Sequence, residues 1–71
     1  MTAERADYRR IAAEFARRIE SGELKSGDKL PSTASIAAAE GVSTSTVYRA
    51  LSLLHDRGLV EGYAGKGVYV R

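Results

Sequence analysis

Seventy-one residues leave room for one domain, which buries about 60% of the surface its unfolded chain would expose, so stability of about 3–5 kcal/mol is expected. No cysteine is present, which excludes disulfides and thiolate metal sites and fits a reducing compartment. Eleven Lys and Arg against nine Asp and Glu give a net charge of +2 and an isoelectric point near 9.2, a balance compatible with an anionic partner but not diagnostic of one.

In chain order, Tyr8, Ile11, Ala12, Phe15 and Ile19 fall on one helical stripe, with Arg9, Arg10, Glu14, Arg17, Arg18 and Glu20 on the opposite side. The spacing predicts a first helix over about 8–21, with Asp7 as N-cap and Gly22 ending it. Gly27 and Asp28 mark a turn before a very short strand at Lys29–Leu30. Ser32, after Pro31, is suited to cap a second helix over about 33–40, with Ile36 and Ala37 inward and Gly41 as its stop. Ser43 caps a third helix over about 44–57, whose Val47, Ala50, Leu51 and Leu54 recur at three-and-four spacing before Gly58. Leu59–Tyr63 and Val68–Val70 have strand composition and flank Ala64-Gly65-Lys66-Gly67, which predicts a hairpin over about 59–70 with a basic tip.

The informative signal is the order of these parts. A short helix, a two-residue connection through Gly41 and Val42, and a longer helix make a helix-turn-helix, and the following hairpin makes it a winged one. The expected fold is small α+β, mainly α: three helices and a small antiparallel sheet. In such a motif the second helix of the pair enters the major groove of a DNA duplex, N-terminus first. That end reads Ser43, Thr44, Ser45, Thr46, Tyr48 and Arg49. Hydroxyls and helix-start N–H groups suit phosphate oxygens. Arg49 is suited to fork onto a guanine, and Tyr48 to meet a thymine methyl or a phosphate. The plainer use of the same hydroxyls is helix capping and solvation. Gly65, Lys66 and Gly67 at the hairpin tip permit close backbone approach and add a positive charge, for phosphate or the minor groove. Residues 41–71 carry Arg49, Arg57, Lys66 and Arg71 against Asp56 and Glu61 alone, so this half is the expected anion-facing one.

These residues resemble the N-terminal DNA-binding domain of the GntR family of bacterial repressors. The matching stretches are Gly22 to Ser32, then Gly41-Val42-Ser43, Thr46-Val47, Ala50-Leu51, Leu54, Gly58-Leu59-Val60, Gly65-Lys66-Gly67 and Val70, together spanning about residues 8–70. The resemblance implies phosphate contacts at Ser32, Thr33, Ser43, Ser45 and Thr46, and a DNA-touching wing tip. It also implies an operator of two-fold symmetry, a homodimeric full-length protein, and a following domain that binds a small effector or drives dimerisation; on that reading the 71 residues are the head of a longer regulator. The family usually has arginine at three DNA-facing places where this chain has Ala34, Thr44 and Tyr48. Arg49 is displaced from Tyr48 by about 100° around the helix, so the implied operator differs from the commonest one.

Other chemistries fit less well. A lone histidine, His55, cannot build a metal site without cysteine, and is expected at the surface near the dipole end of its helix. The carboxylates are scattered, no nucleophile has a base beside it, and neither an enzyme nor a cofactor is expected. The glycine run lacks P-loop spacing. Tyr8, Phe15 and Tyr63 are assigned to the core or its edge, which leaves few aromatics to stack single strands; the face taken by Tyr69 is left open. Arg9, Arg10, Arg17 and Arg18 are read as a solvated helix face interleaved with Glu14 and Glu20, the alternative being a phosphate-facing stripe. No apolar run approaches the roughly 20 residues of a membrane span, and the polar start has no secretory character, so a cytoplasmic protein is expected. A winged helix used for protein–protein assembly is the alternative from another class, disfavoured by the polar start of the third helix.

Overall fold

The computed structural model describes residues 3–63 and 65–71, with side chains described from Asp7 onward. Ala64, in the predicted turn, lies outside the described residues.

Three helices, α1 (Ala3–Glu20), α2 (Thr33–Glu40) and α3 (Thr44–Asp56), precede a hairpin of β1 (Val60–Tyr63) and β2 (Gly67–Val70). The stripe on α1 buries Ile11, Ala12, Phe15 and Ala16, with Tyr8 and Ile19 half-buried at its ends. It packs against Val47, Ala50, Leu51 and Leu54 of α3; Ile36 and Ala37 of α2 and Val60 and Val70 of the hairpin complete one core. Val42, in the connection between α2 and α3, packs half-buried against that core.

α1 begins earlier than its expected start. Ala3 to Ala6 extend it N-terminally, so Asp7 is an internal residue whose carboxylate meets Arg10 at 3.5 Å rather than a cap. Good helix formers at those positions and the three-residue spacing to Arg10 make the longer helix the better solution. The two other caps form as expected. Ser32 accepts from Ser35 N–H and Ser43 from Thr46 N–H. α3 ends one residue before the expected limit, with Arg57 as its C-cap.

Gly41 is where the helix-turn-helix is made. Its φ of 69° is left-handed, its N–H and that of Val42 both bond to the Ala37 carbonyl, and the chain leaves α2 at once for α3. A Cβ added there would meet nothing within 4 Å, so the backbone conformation alone resists substitution. Gly41→Ala is expected to cost about 1–2 kcal/mol, measured as a shift of the urea midpoint with unchanged m-value.

The hairpin is antiparallel, with Val60 opposite Val70, Glu61 opposite Tyr69, Gly62 opposite Val68 and Tyr63 opposite Gly67. The expected strand at Lys29–Leu30 is reduced to a single bridge, Lys29 with Tyr69, on the other edge of β2. Flanking bonds from Leu30 N–H to Val68 O at 2.8 Å and from Val70 N–H to Asp28 O at 2.8 Å hold it there. Strand alternation puts Val60 and Val70 inward, and so sends Glu61, Tyr63, Tyr69 and Arg71 outward. Tyr63 is therefore not a core residue: it is 49% exposed and stands edge-on to Tyr69 at 5.7 Å. The same alternation settles the face of Tyr69, which is half-buried under that contact. The Tyr63 hydroxyl donates to Glu61 Oε2 at 2.6 Å, and that bond to a carboxylate raises the phenol above its usual pKa.

Candidate nucleic-acid interface

Around the α3 axis, side chains within one arc are exposed and the rest are buried. Thr44, Ser45, Tyr48, Arg49, Ser52 and His55 face out, and Thr46, Val47, Ala50, Leu51 and Leu54 face in. Tyr48, at 61% exposure, is the most exposed large apolar side chain among the described residues. Thr46, expected as a contact residue, is instead buried in the free chain. Its side chain is 1% exposed, and its hydroxyl lies 3.1 Å from Ser43 Oγ. It falls on the inward arc because it is one position before Val47 and four before Ala50, both core residues.

One groove gathers most of the remaining expected residues. Ser32 and Thr33 at the start of α2, Tyr48 on α3, and Gly65, Lys66 and Gly67 on the wing all line it. Ser43, Thr44 and Ser45 stand at the exposed leading end of α3, outside that groove. Ser32 and Ser43 both act as caps, so the capping use of these hydroxyls is met. Each cap engages the third amide of its helix, while the first two helical N–H groups lack intrahelical acceptors by construction. Those amides carry the positive end of the helix dipole to the surface.

The expected contacts omit Ser52, His55 and Lys29, which also line the groove. Ser52 and His55 lie one and two turns beyond Tyr48 on the same stripe; the four- and seven-residue spacing from Tyr48 was the available signal. Lys29 also lines the groove, its stem crossing the wing so closely that a Cβ on Gly67 would lie 2.9 Å from Lys29 Cε. With φ at 118°, Gly67 also holds a backbone conformation that favours glycine. The bridge between Lys29 and Tyr69, with its flanking bonds, brings that lysine to the wing, and it joins residues 40 positions apart.

Arg49 is exposed but turned to the far side of α3, its guanidinium 5.8 Å from the centre of the Tyr8 ring on α1. Most of the α1 arginines are neutralised. Arg17 meets Glu14 at 2.7 Å, Arg18 meets Glu14 and Glu23, and Arg10 meets Glu40 at the end of α2 at 2.9 Å. The hydrogen bond from Arg17 holds the Glu14 carboxyl below its usual range, against a smaller opposing effect of desolvation. Among the described residues, no group of three or more His, Cys, Asp or Glu side chains is placed to hold a metal ion, and no helix is long and apolar enough to cross a membrane.

Comparison with known proteins identifies this arrangement. Residues 7–70 match the family model for bacterial regulatory proteins of the gntR family. The chain is 41% identical over 64 residues to the mannosyl-D-glycerate transport/metabolism system repressor MngR of Escherichia coli, covering 90% of this chain and 27% of that protein. Among solved structures it superposes on the DNA-binding domain of AraR in complex with operator ORR3 with a TM-score of 0.88, at 26% identity, covering 92% of this chain and 78% of that one. It superposes on YtrA of Sulfolobus acidocaldarius, a GntR-family transcription factor, with a TM-score of 0.83 at 38% identity, covering 90% and 67%. The chain thus spans about a quarter of the length of the curated relatives it matches.

Proposed function

This chain belongs to the gntR family of bacterial regulatory proteins, and from that membership we propose that it is the sequence-reading head of a transcriptional repressor, placing α3 in the major groove of an operator. The observation that carries the reading is the exposed polar leading end of α3, Thr44-Ser45 with Tyr48, beside a wing tipped by Gly65-Lys66-Gly67. Thr44, Ser45 and Tyr48 are assigned to base edges. Ser32, Thr33, Ser43 and Lys66 are assigned to phosphates, with Lys29 beside them, and the tip glycines to close approach at the flanking backbone or minor groove. The activity is binding rather than turnover, and its setting is the cytoplasm.

Two copies in the full-length protein, on an operator of two-fold symmetry, extend the reading. A further domain responding to a small effector completes it, in keeping with relatives about three times as long.

The reading is tested by titrating the chain with a duplex of mixed sequence over a range of salt. Lys29 and Lys66 line the groove and Arg49 is exposed on the other flank of α3, so with these three cations engaged log K against log salt is expected to fall with a slope of about −3, near 0.9 per neutralised phosphate. A domain built for protein–protein assembly would show no salt-dependent retention of duplex. That outcome would overturn the proposal.

A further inference from the structure

Arg49 lies outside the groove that Tyr48 and the wing line. Its guanidinium rests against Tyr8 of α1 at 5.8 Å from the ring centre, and Arg9 meets the same ring at 6.0 Å. Arg10, Arg17 and Arg18 each have a carboxylate within 4.0 Å, whereas among the described residues neither Arg9 nor Arg49 forms such a pair. Two guanidiniums drawn to one aromatic ring concentrate positive charge there, which an anion would offset. The half-buried Tyr8 is fixed at the edge of the core, so it supplies a rigid surface for a long side chain that would otherwise lose rotamer freedom on binding.

We propose that Tyr8 is a positioning residue: its ring holds Arg49 against α1, where Arg49 and Arg9 together clamp a backbone phosphate instead of forking onto a guanine. The clamp lies on the α1 side of α3, on the opposite flank from the wing, so that the reading helix is braced on both sides. The inference rests on the DNA-binding reading above and assigns Arg49 its part in it.

The test is a double-mutant cycle on the 71-residue chain with short mixed-sequence duplexes. Arg49→Ala is expected to weaken every duplex alike and to make the salt slope shallower by about one. Tyr8→Leu is expected to weaken binding about two- to fivefold, the worth of one exposed cation–π contact. In the Arg49→Ala background the loss should shrink to the part that Arg9 alone contributes on the same ring, and Tyr8→Phe should match the parent. A readout without DNA accompanies it: the Arg49 δ-methylene protons should show an upfield ring-current shift in the parent and in Tyr8→Phe, and lose it in Tyr8→Leu. An equal loss from Tyr8→Leu with or without Arg49, a sequence-selective loss from Arg49→Ala, or unmoved δ-proton shifts would each overturn the proposal while leaving duplex binding intact. Failure of the parent to retain any duplex at low salt would overturn the DNA-binding reading and the clamp together, even with the ring-current shift present.

Discussion

Leu54→Ala is expected to leave the domain largely unfolded at 37 °C. Leu54 has no exposed surface and sits in the core that α1, α2 and the hairpin build around α3. Truncating a buried leucine removes its transfer free energy and leaves a cavity, together about 2–5 kcal/mol. A domain of this size has about 3–5 kcal/mol to lose. A larger domain would absorb the change; the described residues of this one form a single core, with no disulfide or metal site to fall back on. Far-ultraviolet circular dichroism during urea titration should show a cooperative transition in the parent and none, or one beginning without denaturant, in the variant. Ser52→Ala, on the exposed arc of the same helix, should stay within about 0.5 kcal/mol of the parent. A cooperative Leu54→Ala transition displaced by less than about 1 kcal/mol would show that this core is not what holds the fold.

The second large effect separates binding from folding. Ser45→Glu places a carboxylate at the second residue of α3, where its side chain is exposed and the helix dipole is positive. Within the free protein that charge is favourable, by about 0.3–1 kcal/mol, so the variant should melt at or above the parent temperature. Against a duplex the same carboxylate faces phosphate and groove acceptors. Like charges brought together at an interface cost several kcal/mol, which corresponds to a loss of two to three orders of magnitude in affinity. Electrophoretic mobility shift at low salt, beside a thermal melt, reads both quantities. A Ser45→Glu chain that binds as the parent does would remove the leading end of α3 from the interface.

Much of this molecule was legible along the chain because its signals are local. Ser32 and Ser43 stand one residue before their helices, Gly41 just after one, and the three-and-four spacing of Val47, Ala50, Leu51 and Leu54 repeats within two turns. Capping, left-handed turns and amphipathic stripes depend on neighbours a few positions away, so residue order is enough to reveal them. The same logic misjudged Asp7, since a cap residue is also tolerated inside a helix when an arginine stands three positions on. The burial of Thr46 was not legible, because a hydroxyl in a polar run reads as surface although its place on the stripe turns it inward.

Local order alone therefore determined the winged helix-turn-helix and the polar, exposed start of α3. Tertiary structure decided what surrounds that end: Lys29 drawn across Gly67, the outward face of Tyr63 and Tyr69, and Arg49 laid on Tyr8. Each of the contacts to Lys29 and Arg49 joins residues about 40 positions apart, and no periodicity or spacing encodes such a pairing. They arise only when packing of α1 against α3, and of β2 against residues 27–30, brings distant side chains within reach.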